Sequence, residues 1–323
     1  MLSDLERTEF QTGAASGYSG SQVEALAAQV RAHGSESAAP SSLAAALAHA
    51  AFIAPDRTAD IYDHAAAGWF GKPVKGPVID PSVRGPWSEP LPQTFWDSFW
   101  GLVEDTGSGM GAAVVTTRTA ALGACLPSDF AARLAPACAA YPGVVEAAAK
   151  GVPGRFRLED LAACPDGSLG NAFYRLIVDN NFDLEVLDRD ALNLSTLPCP
   201  LNYLNARILQ VHDLWHLVGG YRTTGLHEVA ISGFQLGQFG HGYSAMFLAM
   251  VAASTALRDS PAAPILWETI LGSWVHGRET PALIGAPWET LWMRPVDDIR
   301  AQLGVTPYAS PFPADLFEQA IAA

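Results

Sequence analysis

A chain of 323 residues with 49% hydrophobic and only 16% charged side chains has ample material for a large core, which excludes global disorder. Its formal net charge of -14 excludes an extended nucleic-acid surface, because phosphate binding needs clustered cations and only three lysines (Lys72, Lys75, Lys150) accompany the arginines. Four scattered cysteines (Cys125, Cys138, Cys164, Cys199) form no C-x-x-C pair and are expected as reduced thiols.

The opening "MLSDLERTEF" is acidic and lacks an apolar run, so it reads as neither a secretory signal nor a transit peptide, and a cytoplasmic chain is expected. Small polar stretches at 11–20, "QTGAASGYSG", and 34–42, "GSESAAPSS", read as loops beside the helical patterns "SQVEALAAQVRAH" and "SSLAAALAHAAFI". Residues 71–92 hold more proline than a helix interior tolerates and read as a surface wrap or a boundary. An N-terminal helical extension is therefore placed at 1–110, and a main domain at 111–323.

In "QTFWDSFWGLVED" (93–105), Phe95, Trp96, Phe99, Trp100 and Val103 recur at helical period. Helices are expected over "GAAVVTTRTAALGACL", over "DFAARLAPACAAY" with an interruption at Pro136, and over "NAFYRLIVDN" with Ser168 as cap. "LNYLNARILQVHDLWHLV", a segment opened by Glu228, "PAAPILWETILGSW" and "PVDDIRAQLG" continue the pattern. The apolar stretch from Tyr243 to Leu257 falls short of the roughly 20 residues that cross a bilayer and reads as a buried core helix. Alternating patterns are scarce, so the fold class is mainly α, a multi-helix globular bundle with few or no strands.

The chemistry concentrates in "QVHDLWHLVGGYRTTGLHEVA" (210–230). At about 100° per residue His212, Asp213 and His216 share one face of a helix that is otherwise almost wholly apolar, hence buried. Burying two imidazoles and a carboxylate without partners costs several kcal/mol, which a divalent cation or a tight hydrogen-bond network must offset. Histidines at i and i+4 reach one ion from one face. Gly219 and Gly220 end the helix and let the chain return, so that Glu228 meets the trio. The metal ligands expected are His212, Asp213, His216 and Glu228, with Asp213 suited to ligation or to orienting its neighbour. One divalent ion is implied; mixed nitrogen and oxygen donors suit zinc or iron(II), with manganese and magnesium not excluded.

The spacing H-D-x-x-H followed eleven residues later by E resembles the signature of the coenzyme Q biosynthesis protein 4 family. "PDGSLGNAFYRLIVDNNF" upstream and "PWETLWMRPVDDIRAQLGV" downstream resemble that family's flanking segments, the second its closing W-E-x-x-W helix, so the likeness spans roughly 115 to 305. Phe173 stands where the family tends to have Tyr, and residues 1 to about 110 inherit no function from it. The resemblance implies a bacterial member acting in ubiquinone synthesis, peripheral on the inner face of the membrane. It implies an apolar cavity for an isoprenoid tail and C1 decarboxylation of a 4-hydroxy-3-polyprenylbenzoate-type acid, with or without coupled hydroxylation. The alternative is a non-catalytic scaffold that binds isoprenoid or quinone intermediates, associates with other ubiquinone-biosynthesis proteins and carries a structural metal. A homodimer is also among the expectations.

Within that reading Asp213, His227 and Glu228 are the catalytic candidates, His227 as a proton shuttle or a cap. Tyr221 and Arg222 are placed to meet a substrate carboxylate. Phe234 and Phe239, with Gly237, Gly240 and Gly242, supply either the walls of a prenyl tunnel or plain close helix packing. His241 and His276 read as structural.

Overall fold

The structure is a computed structural model that describes residues 2–34, 37–83, 90–105, 112–185, 188–190, 192–258 and 262–322, with the side chains of 112–116 and 320–322 left aside. Among these are sixteen α-helices and no strand, as a mainly α chain requires; a single bridge pairs Ser168 with Pro295. The expected boundary at 110/111 lies outside the described residues, as do 84–89 of the Pro/Gly-rich segment.

Four helices fold ahead of that segment. Ser3 and Ser19 make capping boxes that start α1 (Asp4–Ser16) and α2 (Gly20–His33). α3 (Ala39–Phe52) is buried nearly all round, and α4 (Thr58–Phe70) follows. The loop expected at 11–20 is a correction: α1 continues to Ser16, because Phe10 and Ala14 bury against α3. The second loop is shorter than expected, since Ala39 and Pro40 already belong to α3. Residues 71–83 then wrap without helix over the junction of α4 and α14 (Ala263–Glu279), where Arg278 donates to the Pro77 carbonyl.

α5 (Gln93–Asp105) buries its aromatic stripe: Phe95 packs edge-on to Phe52 at 4.9 Å, and Phe99 lies 5.5 Å from Phe10. α6 (Ala112–Leu122) precedes α7 (Phe130–Ala139), which runs through Pro136 rather than breaking there. Proline removes only one bond of the ladder, and burial of Phe130 and Cys138 holds the rest. Short helices α8 (Val144–Ala148) and α9 (Leu158–Ala162) lead to α10 (Leu169–Asn180), whose first turn is capped by Ser168 Oγ accepting the Asn171 amide at 3.3 Å.

α11 (Leu201–Gly219), α12 (Gly225–Phe239), α13 (Gly242–Leu257) and α14 form the centre. α12 runs along α14 and α3 along α13, so one continuous cluster of buried residues extends from Phe10 to Val305. Gly237 permits the close crossing of α12 and α14, since a Cβ there would lie 2.8 Å from the Trp274 carbonyl oxygen. α13 is the buried core helix expected from its composition, and no helix among the described residues is long and apolar enough to cross a membrane. The W-E-x-x-W segment is not helical: Trp288–Thr290 make a single 3-10 turn, and the helix begins only at α15 (Val296–Leu303) before α16 (Leu316–Ala322) closes the chain.

Candidate metal centre

α11 carries His212 and His216 one turn apart, their rings 4.9 Å between centroids at 66°. Gly219 is the last helical residue, and Gly220 takes the left-handed conformation (φ +79°), its amide donating to the His216 carbonyl. The chain reverses through Tyr221–Thr224 and re-enters helix, so that Glu228 in the first turn of α12 faces back across α11. Its carboxylate oxygens lie 3.3 Å from His216 Nε2 and 3.6 Å from His212 Nε2. One donor atom from each of His212, His216 and Glu228 falls within 4.8 Å of the others, the spacing of ligands that share one ion.

Asp213 sits beside this group. Its Oδ1 accepts from His212 Nδ1 at 2.9 Å, which places the His212 proton on Nδ1 and leaves Nε2 bare, the tautomer a metal ligand needs. Burial pulls the His212 pKa down, but the Asp213 hydrogen bond and the Glu228 charge outweigh it and raise the pKa overall. Burial likewise works against ionisation of Asp213 and Glu228, and the imidazoles overcome it, so both carboxyls stay below their ordinary range. His216 is 2% exposed; among the described residues its Nδ1 has no hydrogen-bond partner, and its Nε2 meets only the Glu228 carboxylate at 3.3 Å. An orphaned buried imidazole is costly unless something binds it. A divalent ion on His216 Nε2 would fill the gap, and the two-nitrogen, one-carboxylate donor set fits zinc or iron(II).

The remaining candidates spread around this centre. His227 Nδ1 accepts the Arg222 amide at 2.8 Å, as a turn-capping histidine does, so the neutral ring carries its proton on Nε2, which is buried without a partner among the described residues. Arg222 is exposed. The Tyr221 hydroxyl donates to His276 Nδ1 at 2.6 Å, since His276 Nε2 is spent on the Thr306 carbonyl at 2.7 Å, and the Tyr221 ring stacks on Tyr308 at 4.8 Å. Phe234 and Phe239 are fully buried against Trp215, at 5.5 and 5.9 Å. Both rings lie in the buried core beside Trp215, and His276 bridges the Tyr221 hydroxyl and the Thr306 carbonyl.

Residues far along the chain lock the α11–α12 turn. Arg300 donates to the Leu217 and Val218 carbonyls, the unsatisfied end of α11, at 2.7 and 3.0 Å. The Tyr308 amide donates to the Gly219 carbonyl at 2.8 Å, and Thr224 Oγ1 to that of Ala314 at 2.6 Å. Local pattern does not announce these residues, because their partners lie tens of positions away. The two flanking segments also meet: the Leu169 and Gly170 amides donate to the Arg294 and Trp292 carbonyls at 2.7 and 2.9 Å, and Phe173, fully buried, stacks on Trp292. Arg207, buried on α11, takes Glu289 at 2.5 Å and the Ala286 carbonyl at 3.1 Å. The "PWETLW" piece thus braces α11 through Arg207, and the "PDGSLG" piece docks on it in turn.

Fold and site together define an all-helical protein, among its described residues, that presents a His-His-carboxylate cluster on two helices joined by a glycine turn. Residues 153–309 match the family described as Coenzyme Q (ubiquinone) biosynthesis protein Coq4, and over that stretch the chain is similar to it. The match starts later than the flanking segments suggested, at 153 rather than near 115. Similar proteins include the mitochondrial ubiquinone biosynthesis protein COQ4 homologs of Rattus norvegicus, 27% identical over 150 residues (46% of this chain, 55% of the relative), and of Drosophila ananassae, 28% identical over 147 residues (45% and 53%). The chain spans about half the length of the curated relatives it matches. A crystal structure of a Nostoc punctiforme protein assigned to ubiquinone biosynthesis superposes with a TM-score of 0.50 at 25% identity, covering 66% of this chain and 98% of that one.

Proposed function

We propose that the protein acts in ubiquinone biosynthesis as a metal-dependent decarboxylase of a 4-hydroxy-3-polyprenylbenzoate-type acid. The observation that carries this reading is the convergence of His212 Nε2, His216 Nε2 and the Glu228 carboxylate, with His216 Nδ1 unpartnered among the described residues. When bound, a divalent ion supplies a Lewis acid for a substrate oxygen and, if it is iron(II), the redox capacity that replacing the carboxylate by a hydroxyl would need.

The reaction breaks the bond between the ring carbon and the carboxylate, releases carbon dioxide, leaves the electron pair on C1, and adds there a proton taken from solvent water. A phenol para to the carboxylate favours this by pushing electron density to C1. In this reading Asp213 holds the proton on His212 Nδ1 and so keeps Nε2 free for the ion. Glu228 and Asp213 stay ionised in the working pH range, so they serve as ligand and orienter rather than as acids. His227 serves as a hydrogen-bond donor through Nε2: burial, then the neighbouring His216 charge, hold its pKa low, so at neutral pH it offers a hydrogen bond and not a proton.

Metal analysis and turnover of a 4-hydroxy-3-prenylbenzoate, under air and under nitrogen, test the reading. Carbon dioxide release in both atmospheres is expected of simple decarboxylation, and release only in air of the oxidative version. No release in either, with metal loaded, defeats the enzymatic reading for this substrate and leaves a scaffold with a structural metal.

A further inference from the structure

α12 starts without a local cap. Thr224 stands at its N-cap in the extended conformation (φ -129°, ψ 156°) from which a threonine hydroxyl can accept an amide of the first turn, yet that side chain caps nothing. The hydroxyl donates instead to the Ala314 carbonyl at 2.6 Å. The acceptor comes from 93 positions further along the chain: Glu318 Oε1 takes the Gly225 amide, the first of α12, at 2.8 Å. A carboxylate there also complements the positive end of the helix dipole.

Ala314, Phe317 and Glu318 lie beyond residue 309, where the match to the family ends. The segment that carries them crosses the glycine turn from one side to the other. At the α11 side the Tyr308 amide donates to the Gly219 carbonyl at 2.8 Å. At the α12 side Ala314 and Glu318 hold Thr224 and Gly225, and Phe317 Cδ2 lies 3.8 Å from where a Cβ on Gly225 would stand. Glu228 belongs to that same first turn, its amide bonded back to the Thr224 carbonyl at 2.8 Å. The backbone of the carboxylate arm is thus tied to α16, whereas His212 and His216 stand on α11, whose own end Arg300 holds.

We propose that Glu318 is a positioning residue for the metal centre: by capping α12 from α16 it keeps the first turn wound and the Glu228 carboxylate against His212 and His216. The inference rests on reading those three residues as a metal site. Glu318 acts only through the backbone of α12. A frayed first turn leaves the ion with two histidines, so affinity falls with the fraction of chains in which the turn is wound.

Zinc affinity of the full chain, measured by competition with a fluorescent chelator at pH 7.5, tests this in three variants. Glu318 and Asp315 are both exposed, so none of the three disturbs the core. Glu318→Ala should raise the zinc dissociation constant about three- to thirtyfold, the equilibrium effect of losing a helix cap. It should also speed hydrogen exchange of the Gly225, Leu226 and His227 amides in chelated protein. Glu318→Gln, which keeps an acceptor oxygen, should return the constant most of the way to the wild-type value. Asp315→Ala removes the same charge nearby without touching the cap and should match wild type. Unaltered affinity in Glu318→Ala, no recovery in Glu318→Gln, or an equal loss in Asp315→Ala overturns the positioning role alone. A wild-type chain that binds no zinc overturns the metal reading, and the positioning role with it.

Discussion

Asp213→Asn separates orientation from ligation at the metal centre. Asp213 is not one of the three residues whose donor atoms converge, and its Oδ1 is engaged with His212 Nδ1 at 2.9 Å. An asparagine keeps the shape but substitutes a weaker, neutral acceptor, so the His212 ring is held less firmly and its Nε2 becomes less basic. Changes of this kind beside a ligating histidine typically cost about 10- to 100-fold in metal affinity, or about 1.4 to 2.7 kcal/mol. Competition against a fluorescent chelator should register that loss, while metal content at saturating concentration stays at one ion per chain. A variant that binds no metal at saturation would make Asp213 a ligand. Unaltered affinity would show that its hydrogen bond orients nothing.

Other outcomes follow from the same geometry. Glu228→Ala should abolish metal binding, and in wild type a chelator should lower the melting temperature, because an ion present at 100 times its dissociation constant stabilises the fold by about 2.7 kcal/mol. Gly220→Ala places a Cβ 2.8 Å from that of Pro307 at φ +79° and should cost about 1 to 3 kcal/mol in urea unfolding, with weakened metal binding as the turn shifts Glu228. His241 is pushed down to about 3 by burial, with the His212 charge adding to it. Because its folded pKa lies below the ordinary value of 6.5, the unfolded chain gains a proton first on acidification. Stability should therefore fall as pH drops from 6.5 toward 3, by at most about 4 to 5 kcal/mol, and His241→Gln, measured in chelated protein, should flatten that slope. Arg207→Met should lower stability by about 1 to 3 kcal/mol in thermal unfolding, a discounted figure because the Glu289 carboxylate is 46% exposed and can rehydrate.

What could be read from the sequence was what depends on local period. The stripe Phe95, Trp96, Phe99, Trp100 and Val103 placed α5 to the residue, and the apolar surround of His212, Asp213 and His216 announced a buried helix with unusual cargo. The Gly-Gly break was legible too, because only a left-handed residue ends α11 so that Glu228 returns. α1 was not read from the sequence, and its residues 11–16 were taken into a loop, because "QTGAAS" has turn-like composition and is helical only because Ala14 packs on α3. Phe234 and Phe239 illustrate a second limit: aromatic residues at helical spacing suit a tunnel wall and a core equally well, and their packing on Trp215 is a tertiary contact that no local pattern shows. The locks at Arg300, Thr306 and Tyr308 are tertiary throughout, joined to α11, α14 and the glycine turn by chain reversals that no window of sequence contains. The Glu318 cap is of the same kind, 93 positions from the amide it accepts.

Anomalous diffraction from crystals of the metal-loaded protein, with data collected on either side of the zinc and iron absorption edges, bears most directly on the centre. One peak is expected, bonded by Nε2 of His212, Nε2 of His216 and the Glu228 carboxylate, with Asp213 still accepting from His212 Nδ1. A loaded crystal with no peak there, or a peak held by other residues, would contradict the assignment of this cluster as the metal site.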